Sequence, residues 1–148
     1  MTARVAGAAR RANALRAGVA YALIVFAAGF CLGALRTLAL APRIGPTLAV
    51  LLETPIILAV SWIVARWCTR RFGVGATTPE RAAMGVIAFV VLMGAELVMA
   101  LLLFQRPFAA YLASFATASG AIGLVAQLGF AAIPWVQARV ADGRARRQ

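Results

Sequence analysis

Histidine and lysine are both missing from this chain, and only four of its residues are acidic. The absence of His removes the commonest general base and metal ligand and rules out His-ligated haem. Any proton chemistry would fall to Glu. Aspartate occurs once, as Asp142 in a basic tail, so acid–base or metal catalysis lacks parts; no enzyme activity and no cofactor are expected. The two cysteines, Cys31 and Cys68, lie on successive apolar stretches, too far apart to bond, and read as packing residues.

What the chain has in abundance is apolar surface: 148 residues are 64% hydrophobic, with a mean hydropathy of +0.91. A chain this short cannot hide that much in one water-soluble core, so the lipid bilayer is expected to be its solvent and first partner. Fifteen basic residues, all Arg, against four acidic ones give a net charge of +11. The arginines cluster at the ends of apolar stretches and do not follow one face, which argues against nucleic acid as the partner.

Four apolar runs, residues 17–40, 46–67, 81–104 and 108–135, are long enough to cross a hydrocarbon core of about 30 Å. Turn residues separate them: 42–46, 73–79 and 105–107. The expected fold is all-α, a polytopic membrane protein whose four transmembrane helices form two antiparallel hairpins in a single domain, residues 1–148. The first run is longer than a signal-peptide core and has no clear cleavage site, so it reads as a retained helix. Thr77 or Thr78 can cap the third helix, with Pro79 in its first turn and Glu80 at the positive end of its dipole.

Twelve arginines fall in the tails, 1–16 and 137–148, and around the middle loop, while only Arg36, Arg43 and Arg106 fall toward the other side. Short loops retain positive charge on the cytoplasmic side. The expectation is a multi-pass protein of a bacterial inner membrane with both termini cytoplasmic and Trp67 and Trp135 at the cytoplasmic interface.

Three charges lie inside the spans: Arg36, Glu53 and Glu96. Burying them costs about 2.5 to 3.5 kcal/mol each, so they are expected to face protein or water. Arg36 and Glu53 are almost equally far from a turn near Ile44 and so level across the first hairpin. At a rise of about 1.5 Å per residue, Arg36, Glu53 and Glu96 lie about 6, 10 and 14 Å below the outer end, with Arg43 and Arg106 in the loops above them. Thr117 and Ser119 come out level with Glu96. The cluster reads in three ways: an ion pair pinning the first hairpin, a proton or cation relay through Glu53 and Glu96, or a docking contact for another membrane subunit. Pro55 frees the Leu51 carbonyl and is expected to kink the second helix beside Glu53. Gly29 and Gly33 in the first helix, and Gly120 and Gly123 in the fourth, are expected to allow close helix contact. Gln127 reads as a helix-to-helix hydrogen bond too far from Glu96 to share a site.

Arg36, the turn Ala41-Pro42-Arg43-x-Gly45, Glu53-x-Pro55 and Ser61-Trp62 together resemble a family of small four-helix bacterial inner-membrane proteins without an assigned function. That resemblance spans the chain and implies the fold and membrane but no activity. The first hairpin, Gly29-x-x-x-Gly33-Ala34-x-Arg36 followed by Gly45-Pro46-Thr47, is also similar to the opening of the small four-helix fluoride channels. The chain departs from them in carrying Glu53 where that family has an uncharged Asn, and in lacking an interrupted Thr-Thr-Phe-Ser segment in residues 84–100. Small four-helix multidrug exporters carry their membrane Glu in the first helix, where this chain has Arg36.

Two functions follow as expectations. The first is a non-enzymatic accessory or structural subunit acting by helix association, within a larger membrane complex or a homo-oligomer. The alternative is a small oligomeric proton-coupled or cation transporter using Glu53 and Glu96.

Overall fold

A computed structural model describes residues 2–145 of the chain, and the side chains of residues 7–143. Arg146 and Arg147 of the basic tail, with the side chains of Arg4 and Arg144, lie outside the described residues. The described chain is helical, with no strand. The elements are α1 (Thr2–Leu35), α2 (Ala41–Ile44), α3 (Pro46–Arg71), α4 (Thr78–Val98), α5 (Phe108–Ser114) and α6 (Ala118–Ala145), with wider π-helical turns at Arg36–Leu40 and Met99–Leu103. The protein is an all-α, polytopic membrane protein with four long apolar helices.

The helices do not coincide with the apolar runs. The first extends beyond its run on both sides: α1, the π turn and α2 form one helical path from Thr2 to Ile44, about 60 Å at 1.5 Å per residue and twice the bilayer core. The fourth apolar run is not one helix. Phe115, Ala116 and Thr117 form tight turns back to Leu112, Ala113 and Ser114, and the Thr117 hydroxyl then accepts the Gly120 N–H at 3.0 Å, capping α6. The fourth long apolar helix therefore begins at Ala118, about ten residues beyond the start of the apolar run 108–135.

The helix ends have local causes. Gly45, at φ 83°, makes the first turn, and Pro46 opens α3 where no N–H is needed. Gly73, at φ 61°, ends α3: Gly73 N–H bonds Arg70 O at 3.4 Å and Val74 N–H bonds Thr69 O at 3.0 Å, while Val74 is buried. Thr77 occupies the N-cap position of α4, but its side chain makes no capping bond.

α1 packs against α3 and α4, and α6 closes the ring against the same two helices. One cluster forms the core: Ala17, Tyr21, Val25, Cys68, Met84 and Phe130 are among its members, all in the half of the bundle that carries the termini. Toward the hairpin turns the buried residues thin out to Ala49, Val50 and Ala100. The bundle is closed at the terminal end and loosened at the turn end.

Tyr21 is the largest fully buried side chain. Its ring stacks on Phe130 with centroids 4.3 Å apart, and its hydroxyl donates to the Phe130 carbonyl at 3.0 Å. That carbonyl is open because the residue four positions on is Pro134, which has no N–H to offer. In hydrocarbon a freed carbonyl must find a partner, and Tyr21 reaches across the bundle to supply it.

The glycines that permit close approach are Gly18 and Gly85. A Cβ on Gly18 would stand 2.8 Å from the Met84 carbonyl, and one on Gly85 would collide with the Ala131 carbonyl. Gly29 has only an ordinary 3.8 Å contact with Ile57, Gly33 meets only Arg36, and Gly123 faces open space, whereas a Cβ on Gly120 would collide with the Ser114 carbonyl at the α5–α6 break. Of the four glycines singled out from the sequence, Gly120 sits at a close backbone approach.

Tyr21→Phe is expected to cost about 1–3 kcal/mol by leaving the Phe130 carbonyl unpaired. In a Pro134→Ala background, which restores a backbone N–H to that carbonyl, most of the cost should vanish in detergent unfolding. Equal costs in both backgrounds would contradict the pairing.

Candidate functional site

The charged residues of the spans collect in the loosened half of the bundle. Arg36 opens the π turn that follows α1, and Glu53 lies two turns into α3, eight residues beyond Gly45. Arg36 Nε stands 3.2 Å from Glu53 Oε2, with the two side chains 32% and 15% exposed. Glu53 Oε2 is buried but accepts no aligned hydrogen bond, so the contact is an ion pair held by charge more than by direction. Each partner removes the other's net charge from the hydrocarbon, which is the condition for either to be there.

Glu96 lies in α4, one turn before its π segment. Both its carboxyl oxygens accept from Gln127 Nε2 of α6, each at 2.7 Å. Gln127 and Glu96 thus share a site after all: with α6 beginning at Ala118, Gln127 comes level with Glu96. Thr117 and Ser119 do not reach Glu96; Thr117 caps α6 and lies 3.3 Å from the Ser119 hydroxyl. The polar contacts of this half are therefore two pairs, Arg36 with Glu53 in the first hairpin and Glu96 with Gln127 in the second.

Three oxygens of the described side chains are buried without a hydrogen-bond partner: Glu53 Oε2, Gln127 Oε1 and Tyr111 Oη. A charged Glu96 accepts from the Gln127 amide in the observed orientation. A protonated Glu96 would instead donate to Gln127 Oε1 once the amide turned over, so this contact can serve two protonation states.

Arg43 and Arg106 are exposed at the turn end and form no ion pair among the described residues. Pro55 lies inside an uninterrupted α3, where the Thr54 hydroxyl donates to the Val50 carbonyl at 2.8 Å. Among the described residues a second ion pair lies at the terminal end, where Arg10 reaches Glu80 at 3.6 Å. Sequence reasoning missed Tyr111 and the partnership of Gln127 with Glu96. The signal for the second was Thr117-Ala118-Ser119-Gly120, a capping pattern within an apolar run.

No protein-family model, curated protein or solved structure matches this chain. Its function is read from its own residues.

If Arg36 and Glu53 neutralise each other, Glu53→Gln and Arg36→Gln each destabilise the protein, and the exchange Arg36→Glu with Glu53→Arg recovers part of the loss. The coupling measured in detergent should fall between the roughly 1 kcal/mol of exposed pairs and the roughly 3–5 kcal/mol of breaking a buried one. Strictly additive effects would rule out direct pairing.

Proposed function

We propose that this protein is a non-enzymatic accessory or structural subunit of a bacterial inner membrane, with both termini cytoplasmic, which acts by associating its helices with a larger membrane-protein complex or with further copies of itself. The observation that carries this reading is the outward surface. No more than 22% of the apolar window of any span is buried within the bundle. Gly94 of α4 and Gly123 of α6 have open space where a side chain would stand, and small residues on an outward face let a second helix approach closely. The placement of twelve of the fifteen arginines supports the orientation. The resemblance to small four-helix inner-membrane proteins supports the location.

A second reading, a small oligomeric proton-coupled or cation transporter, is favoured by one observation: oxygens of Glu53, Gln127 and Tyr111 are buried without partners, and Gln127 is the residue that holds Glu96. Under it, Glu53 and Glu96 exchange protons or a cation with the turn-end surface.

Native mass spectrometry of tagged protein extracted gently from its own membrane separates the two. The accessory reading expects a larger partner in fixed stoichiometry, lost in Gly94→Leu while the isolated protein keeps its melting temperature. A homogeneous homo-oligomer without a partner, showing proton flux that Glu96→Gln abolishes, would favour the transporter reading and overturn the first.

A further inference from the structure

The turn half of the bundle carries two surface grooves. One, about 330 Å³ between α1 and α4, is bounded by Phe26, Val98, Leu102 and similar side chains, and nothing in it selects one apolar occupant over another. The other, about 130 Å³ between α1 and α3, sets Leu32, Leu35, Leu52 and Ile56 around Arg36 and Glu53. Its walls open to the bilayer, since Leu35 and Leu52 are each 56% exposed.

The ion pair in that groove is only partly covered. Arg36 uses Nε on Glu53 and is 32% exposed. Its terminal nitrogens make no ion pair among the described residues, although a guanidinium has five N–H donors in a fixed fork suited to phosphate oxygens. Glu53 keeps Oε2 buried and has a second oxygen with acceptor capacity. Arg36 lies eight residues before Ile44, about 12 Å along the helix from the first turn. An arginine inside a span draws lipid phosphate and thins the bilayer locally.

Charge balance decides which headgroup follows. Arg36 and Glu53 sum to zero. A purely anionic headgroup on Arg36 would leave unbalanced negative charge beside the Glu53 carboxyl in a low dielectric. A zwitterion with a phosphate and a primary ammonium matches both poles of the pair and adds no net charge. We propose that the α1–α3 groove is a binding site for a zwitterionic aminophospholipid, its phosphate on the Arg36 guanidinium, its ammonium on Glu53, and the start of an acyl chain among Leu35, Leu52 and Ile56.

The experiment is competitive lipid retention by native mass spectrometry, with the full-length protein in micelles containing equal dioleoyl phosphatidylethanolamine, phosphatidylglycerol and phosphatidylcholine. One phosphatidylethanolamine per chain is expected, preferred about tenfold over each of the others. Phosphatidylglycerol lacks the ammonium, and phosphatidylcholine carries one without N–H donors. Leu52→Trp, which fills the groove and leaves the ion pair intact, should abolish retention. Glu53→Gln, which leaves Arg36 a lone cation, should reverse the preference toward phosphatidylglycerol. Soluble phosphoethanolamine should not compete, because it brings no chain.

Equal retention of the three lipids by the natural protein would overturn the proposal, as would retention unaffected by Leu52→Trp. Should Glu53→Gln fail to fold, the headgroup comparison and Leu52→Trp remain decisive. A protein partner seated on Arg36 in place of lipid would appear as absence of any retained lipid, and would also overturn it.

Discussion

In water, burial of apolar surface selects one packing from many; in a bilayer the surrounding lipid is as apolar as the helices, and that selection weakens. Polar groups take it over, because an unpaired donor or acceptor in hydrocarbon costs several kcal/mol. Beside the exposed bond from Gln137 to the Trp62 carbonyl, three contacts inside the bundle carry that role. Tyr21 bonds the Phe130 carbonyl, Arg36 faces Glu53, and Gln127 donates to Glu96. Together they tie α1 to α6, α1 to α3, and α4 to α6, leaving none of the long helices free to slide past its neighbours.

The three contacts are distributed unequally along the bundle. Tyr21 and Phe130 lie within the packed core of the terminal half, where Gly18 and Gly85 bring backbones close together. The charged contacts lie in the turn half, where packing thins and both first-of-hairpin helices widen into π turns, at Arg36–Leu40 and Met99–Leu103. Such turns interrupt the regular hydrogen-bond ladder and occur often at functional positions. A rigid half that fixes registration and a looser half that exposes an ion pair is an arrangement suited to meeting a ligand or partner from within the membrane.

The four spans and the all-α class were legible because unbroken apolar runs of about 20 residues leave a short chain few alternatives. The hairpin turn at Gly45 was legible because Gly and Pro have one physical reading there. The start of α6 was harder to see. Residues 108–135 read as one run, and the Thr117 cap is a matter of one hydroxyl and one backbone N–H. From that one displacement came the placing of Thr117 and Ser119 level with Glu96, and the separation of Gln127 from it. The role of Pro134 was hidden for a different reason, since the group that answers its missing N–H is Tyr21, more than a hundred residues away in sequence.

The pairing of Glu96 with Gln127 depends on the register of α4 against α6. Paired-cysteine crosslinking in membrane vesicles tests it directly, in a background with Cys31 and Cys68 replaced by Ala. With a short thiol-specific crosslinker, Glu96→Cys combined with Gln127→Cys should link efficiently, and Glu96→Cys combined with Thr117→Cys should not. The opposite pattern would place the fourth span at residues 108–135 and contradict the polar contacts described above.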